Sequence, residues 1–218
     1  MKNLIQFLSE LKENNYKEWF WDHKQEFDLL RDNFTMDVAE IISAISIFDN
    51  TVKGLQPKDA IFRIYRDIRF SLDKTPYKTH FGAYMARGGR KGVLGGYYLH
   101  IEPSNSFISV GIWNPQKDVL ESLRNLVYNN PEEFFEIINE PHFKKHYTLY
   151  DEDKLKKLPS AYVGKSYPEP ELLKLKHYIA SRQLSDDFFS NPDWKKIIIE
   201  DFEKNKRLNQ FLNSVFEK

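Results

Sequence analysis

The hydrophobic period of this chain changes twice along its length, and that limits the fold more than any single residue does. Residues 3–13 place Leu4, Phe7, Leu8 and Leu11 three or four positions apart, the spacing of an amphipathic helix. After Asn14-Asn15, the residues Trp19, Phe20, His23, Phe27 and Leu30 run down one side of a second helical stretch. Asn15 followed by Glu18 has the form of a capped helix start, with the amide on the first turn and the glutamate reaching back. Val38, Ile41, Ile42, Ile45 and Phe48 then give the stripe of a helix over 35–48, and Asp49-Asn50 with Gly54 to Pro57 marks a loop.

From there the pattern shortens. Segments 61–65, 79–86, 96–102 and 106–113 are rich in aromatic and β-branched residues and are divided by Gly88-Gly89, Gly95-Gly96 and Pro103-Ser104-Asn105. Three of them read as an antiparallel meander, the last link being short enough for a hairpin. Helical pattern returns at 115–128, with Pro115 suited to a first turn, and at 131–139 behind Pro131. Residues 141–168 read as irregular, 169–177 as helical and 178–184 as a further strand. A closing helix begins at Asn191-Pro192 with Trp194, Ile197, Ile198, Phe202, Leu208, Phe211, Leu212 and Val215 on its apolar face. Helices, then strands, then helices, with little βαβ alternation, predict an α+β fold: a mainly antiparallel sheet flanked by N-terminal and C-terminal helices. With no internal repeat and no linker composition, residues 1–218 are expected to form one domain.

Composition excludes some chemistry. The chain has no cysteine, so disulfides, thiolate metal sites and a cysteine nucleophile are ruled out. The 15% aromatic content suits a dense core. The first residues lack a signal-peptide apolar core, and no run approaches the ~18 apolar residues of a membrane span. The expectation is a cytoplasmic protein with no membrane association.

Lys plus Arg equals Asp plus Glu at 32 each, yet the charge is segregated. From 63 to 91 the cations Arg63, Arg66, Arg69, Lys74, Lys78, Arg87, Arg90 and Lys91 face only Asp67 and Asp73, a local balance of +6. Guanidinium presents a planar fork of donors that matches phosphate and carboxylate. A structured loop over 67–76 is able to curl such groups toward one point. Arg63, Arg66, Arg69, Lys74, Tyr77, Lys78 and His80 are therefore the candidate ligand-binding residues, and the expected partner is a small phosphorylated or carboxylated compound. Asp67, Asp73 and His100 are candidate acids or bases beside such an anion. The sequence establishes no reaction, since it holds no GxSxG, Walker or dinucleotide fingerprint. Two other readings stand beside the pocket. Cations interleaved with Phe70, Tyr77, Phe81 and Tyr84 would suit a nucleic-acid interaction module, although a neutral chain argues against it. Alternatively, Asp67 and Asp73 tie the arginines into a purely structural network. Gly88-Gly89-Arg90-Lys91-Gly92 reads as a flexible hairpin tip.

On strands, Tyr98, His100 and Glu102 would share one face, as would His80 and Tyr84. Two histidines and a carboxylate suit a metal, but nothing in the spacing fixes how the two strands face one another. No metal site and no cofactor is therefore assigned.

The run from Arg63 to Tyr77 fits the pattern R-x-x-R-D-x-R-F-x-x-[D/N]-K-x-x-Y through Arg63, Arg66, Asp67, Arg69, Phe70, Asp73, Lys74 and Tyr77, with Lys78, Thr79 and His80 continuing it. In this it resembles a family of bacterial and fungal conserved hypothetical proteins described as a domain of unknown function. Asn14-Asn15 with Glu18-Trp19-Phe20, the strand from Tyr98 to Pro103, Leu158-Pro159 and 172–176 are similar to further blocks of that family. The one departure is Ser160-Ala161, where relatives have glycine soon after the proline. The resemblance spans nearly the whole chain. It implies a single α+β domain and no settled activity.

Overall fold

The computed structural model describes residues 1–217. Its elements follow the order that the hydrophobic periods predict. Helices α1 (Lys2–Glu13), α2 (Lys17–Asp22), α3 (Lys24–Phe48) and α4 (Pro57–Ala60) precede strands β1 (Phe81–Met85), β2 (Gly96–Ile101) and β3 (Ser106–Ile112). Helices α5 (Lys117–Asn129), α6 (Pro131–Ile138) and α7 (Pro141–His146) come next, with strands β4 (Thr148–Leu149) and β5 (Tyr178–Leu184). Helices α8 (Trp194–Lys204) and α9 (Lys206–Asn213) follow. The five strands form one antiparallel sheet in the order β1-β2-β3-β5-β4, so the fold is α+β and β1 to β3 are the expected meander. Among the described residues no helix is long and apolar enough to cross a membrane.

The chain divides into two compact units, each assembled from three stretches of sequence. In the first (Met1–Gly92, Tyr98–Ile108 and Gln183–Asp201), α1, α2 and α4 pack on α3, and α4 also packs on β1. The apolar stripe of α3 (Phe27, Leu30, Phe34, Val38, Ile41, Ile45) is buried along its length. A series of tilted rings links it to its neighbours. Phe20 lies 5.0 Å from Phe27, Phe27 lies 5.9 Å from Phe81, and Phe34 lies 5.2 Å from Phe81. Each such buried ring contributes about 1.5–3 kcal/mol, with edge contacts adding to this. Lys195 of α8 bridges Asp37 and Glu40 on the solvent side of α3.

In the second unit (Val93–Tyr97, Ser109–Arg182 and Phe202–Lys218) the core gathers around Phe134, Tyr178 and Phe211. Buried polar groups there are tied to backbone. The Arg124 guanidinium donates to the Leu175 carbonyl at 2.8 Å, and the Tyr178 hydroxyl donates to that of Leu172 at 3.0 Å. Asn213 of α9 accepts from the Gly95 amide at 2.7 Å and donates to its carbonyl at 3.0 Å, while Asn209 donates to the Gly96 carbonyl. Gly111 adopts φ +121°, and a Cβ there would run into the Tyr178 carbonyl, so β3 approaches β5 more closely than any side chain would allow.

Several boundaries depart from the sequence expectation. The break expected between Leu30 and 35 does not occur, because the stripe from Phe27 through Phe34 to Ile45 keeps its 3–4 spacing across the polar run Arg31-Asp32-Asn33. Asn15 is not a helix cap. The cap of α2 is Tyr16, and the Asn15 side chain is occupied elsewhere. Residues 61–65 form two isolated bridges, Ile61 with Ala83 and Tyr65 with Tyr77, rather than a strand. The stretch 141–168 holds α7, six residues long, and β4, two residues long, both too short for a period to repeat. The closing helix breaks at Asn205 into α8 and α9.

Candidate functional site

The arginine segment folds back on itself. The Phe62 amide donates to the Gly82 carbonyl at 2.9 Å, Lys78 to Ile64 at 2.8 Å and Arg66 to Pro76 at 2.9 Å. Residues 67–75 form the exposed end of this ladder. The Asp73 carboxylate accepts from the Thr75 amide at 2.9 Å and from Arg66 Nη1 at 2.5 Å, and Arg66 also donates to the Thr75 carbonyl and hydroxyl. Arg69 clamps Asp67 with two bonds, Nε to Oδ1 at 2.9 Å and Nη2 to Oδ2 at 2.6 Å. Each pair holds its acid ionised. The Arg69 hydrogen bond, then that of its backbone, takes the Asp67 carboxyl down to about 2. The Thr75 backbone amide, followed by Arg66, does the same for Asp73. Neither aspartate is poised to exchange a proton near neutral pH.

The structure thus separates residues that the sequence reading grouped together. Arg66 and Arg69 are engaged by the loop's own acids, and Lys74 donates to the Ile68 carbonyl at 3.0 Å. Tyr77 is a core residue, 3% exposed and stacked on Phe20 at 4.0 Å. Its backbone is held by Asn15, which donates to its carbonyl at 3.0 Å and accepts from its amide at 3.1 Å. Of the rings interleaved with the cations, Tyr77 and Phe81 are buried and Phe70 stands in solvent. Arg66 pairs with Asp73 and Arg69 with Asp67, whose carboxylate also feels Arg63.

A different cationic group does form. Lys78 Nζ lies 5.3 Å from the Phe62 ring centroid and the Arg90 guanidinium lies 5.9 Å from it. Arg90 is oriented by two backbone carbonyls at the end of α4, Asp59 at 3.1 Å and Lys58 at 3.0 Å. The glycine turn at 88–92 is therefore anchored on α4 and is not a loose tip. Burial, then Arg63 and Arg90, pushes the Lys78 ammonium below its ordinary range. Among the described residues neither Lys78, Arg90 nor the exposed Arg63 has a carboxylate ion-pair partner. Alternation along the ladder explains the grouping. Phe62 reaches the face of β1 and β2 that also carries Tyr98, its ring 6.1 Å away in an edge contact.

The same face carries His80, His100 and Glu102. His100 is 7% exposed, lies flat on Phe107 at 4.5 Å and lies 4.3 Å from the His80 ring. The Tyr98 hydroxyl meets His100 Nδ1 at 2.9 Å, and His100 Nε2 meets Glu102 Oε2 at 3.3 Å. Thr79 and Asn105 each donate to Glu102 at 2.8 Å. Burial raises the Glu102 carboxyl, but the bonds from Asn105, Thr79 and His100 outweigh it and the net shift is downward. Burial pushes the His80 imidazole down to about 4, with His100 adding to the effect, and lowers His100 as well. Burial raises the Tyr98 phenol, so it stays protonated. An ionised Glu102 accepts only, which assigns the His100 hydrogen to Nε2 and makes Nδ1 the acceptor of the Tyr98 hydroxyl. One donor atom from each of His80, His100 and Glu102 lies within 4.8 Å of the others. The sequence left the facing of the two strands open, and the structure brings the three groups together.

The model of the conserved hypothetical protein family DUF2461 matches residues 3–211, nearly the full length. The chain belongs to the DUF2461 family. Neither a curated protein nor a solved structure matches it. The resemblance read from the sequence holds for the family as a whole. In this DUF2461 member the contributions that sequence reasoning missed are Phe62 and Arg90. The signal for Phe62 was its place one residue before Arg63 in an alternating segment. Arg90 was visible only as one cation of the 63–91 surplus, because its placement depends on α4 ending beside the glycine turn.

Proposed function

We propose that this protein binds a small compound carrying a phosphate or carboxylate group at the cationic face that Lys78 and Arg90 make around Phe62, with Arg63 near enough to act on Lys78. The observation that carries the reading is that Lys78 and Arg90 share one aromatic ring with no carboxylate opposing either of them. Placing the half-buried Lys78 ammonium beside the exposed Arg90 guanidinium costs free energy, and a bound anion offsets that cost. The carbonyls that hold Arg90 through Nε and Nη2 fix its fork before any ligand arrives, which lowers the ordering cost of binding. Burial of Tyr77 and Phe81 takes two of the four rings interleaved with the cations out of reach of a nucleic-acid base and leaves Phe70 exposed, which weakens the nucleic-acid reading.

The test is calorimetric titration with inorganic phosphate, pyrophosphate and citrate in the presence of chelator. A charge-assisted contact contributes roughly 1.5–3 kcal/mol, so Lys78→Met is expected to weaken the best of these by about tenfold or more. Arg69→Ala, which removes a cation already paired with Asp67, is expected to leave it unchanged. Equal losses in both variants, or tighter binding of a short oligonucleotide than of any small anion, would overturn the reading.

A further inference from the structure

We infer that His80, His100 and Glu102 form a binding site for a divalent transition metal of the zinc class, three protein ligands with a coordination position left open. The inference stands on other residues than the cationic face and does not require it. Two imidazole nitrogens and one carboxylate oxygen form a donor set of borderline softness. Such a set suits zinc and its first-row neighbours rather than magnesium or calcium. Ligands around one tetrahedral ion stand roughly 3.3–3.5 Å apart, given metal–ligand lengths near 2.0–2.2 Å. His100 Nε2 and Glu102 Oε2 already stand 3.3 Å apart. All three donor atoms lie within 4.8 Å of one another, so His80 has the adjustment to make. No hydrogen bond ties its ring among the described residues, and its ring partner is His100.

The groups around these ligands are arranged as those around a metal usually are. Glu102 is held at both oxygens, Oε1 by Thr79 and Oε2 by Asn105. His100 has its plane set by Phe107 and its far nitrogen met by the Tyr98 hydroxyl. Outer partners of this kind fix ring orientation and ligand basicity. A metal at Nε2 replaces the His100–Glu102 hydrogen bond and shifts the ring's hydrogen to Nδ1, which then donates to the Tyr98 oxygen while the Tyr98 hydroxyl hydrogen turns away from the ring. Gly82 keeps room for that hydroxyl, for a Cβ there would lie 2.6 Å from it. Lys78 lies two residues before His80 on the same extended segment, so an anion held there has the open coordination position as a neighbour.

The experiment titrates chelator-treated protein with Zn²⁺ by calorimetry and with Co²⁺ by visible absorption. The expected result is one equivalent, with a Co²⁺ spectrum of a low-coordinate nitrogen–oxygen site. His80→Ala and Glu102→Gln are expected to weaken Zn²⁺ on the order of a hundredfold, and Tyr98→Phe about tenfold, as outer-shell losses do. The control is the double variant His142→Ala/His146→Ala, which removes the ring pair on α7, 4.9 Å apart, and is expected to change nothing. In unsubstituted protein, Co²⁺ should shift the His80 and His100 imidazole proton signals first, which reads the site without altering the fold. Binding lost in the α7 variant and kept in His80→Ala, or the absence of a stoichiometric site, would overturn the proposal. Because the anion titration is run in chelator, its outcome is independent of this one.

Discussion

Tyr98 is the pivot of the candidate site, and Gly82 is what lets it stand there. A methyl group at position 82 meets the hydroxyl at 2.6 Å and displaces it from His100. Gly82→Ala is therefore expected to cost about 1–3 kcal/mol, as overpacking does. Most of that should return in Gly82→Ala/Tyr98→Phe, a coupling that a double-mutant cycle in denaturant measures. Additive losses would mean that the methyl clashes with something else. Asn15→Ala leaves both backbone groups of Tyr77 without their partner, and the expected cost is about 1–3 kcal/mol by the same measurement. Asn15→Asp keeps only the acceptor and should recover part of it. Asn15 also shows where reading a sequence stops. Asparagine before a helical stripe has local cap chemistry, but its amide is used 62 positions away, and nothing in the spacing distinguishes the two uses. The pairing of Asp67 and Asp73 with arginines was legible, as one of three readings; which arginines they take was not.

The loop at 67–75 is held by two exposed carboxylates, and this gives it a pH signature. Both folded carboxyls titrate at about 2, below the ordinary 3.8. For acids with a lowered folded pKa, the stabilising effect is complete above the ordinary value and is lost as pH falls through the folded one. Loop order, followed by amide exchange at Thr75 and Arg69, is expected to persist above about pH 4 and to fade toward pH 2, before the core melts. A loop that loosens near pH 6 would contradict the pairing. Among the elements, strands β1, β2, β3 and β5 and helices α1 and α6 were legible because each carries its full apolar period. Helix α3 was split in the reading because polar residues 31–33 interrupt the composition but not the buried face. Strand β4 has two residues and carries no period at all.

For the chain as a whole, the fold class was legible from the order of periods, whereas the division into two units was not. The backbone passes between the units five times, so no linker or composition shift marks a boundary. The charge segregation read from the sequence survives in part. Asp67 and Asp73 neutralise Arg66 and Arg69, and the surplus of the 63–91 stretch falls on Arg63, Lys74, Lys78, Arg87, Arg90 and Lys91. Binding of a small polyanion at Lys78 and Arg90 is therefore expected to weaken several-fold as salt rises from about 50 to about 500 mM, since partly exposed charges are screened. A salt-insensitive affinity would point to apolar contacts instead.

The clasp between Asn15 and Tyr77 also bears on how the molecule reaches its native state. Its two ends are far apart along the chain, and closing so long a span carries an entropic toll that must be met before any bond is gained. Helices α1 to α3 pack on one another within the first 48 residues and are expected to assemble early, before Phe81 and Lys195 join α3. The arginine hairpin is then expected to lock late, so Asn15→Ala should accelerate unfolding more than it slows folding, as the two arms of a chevron plot measure.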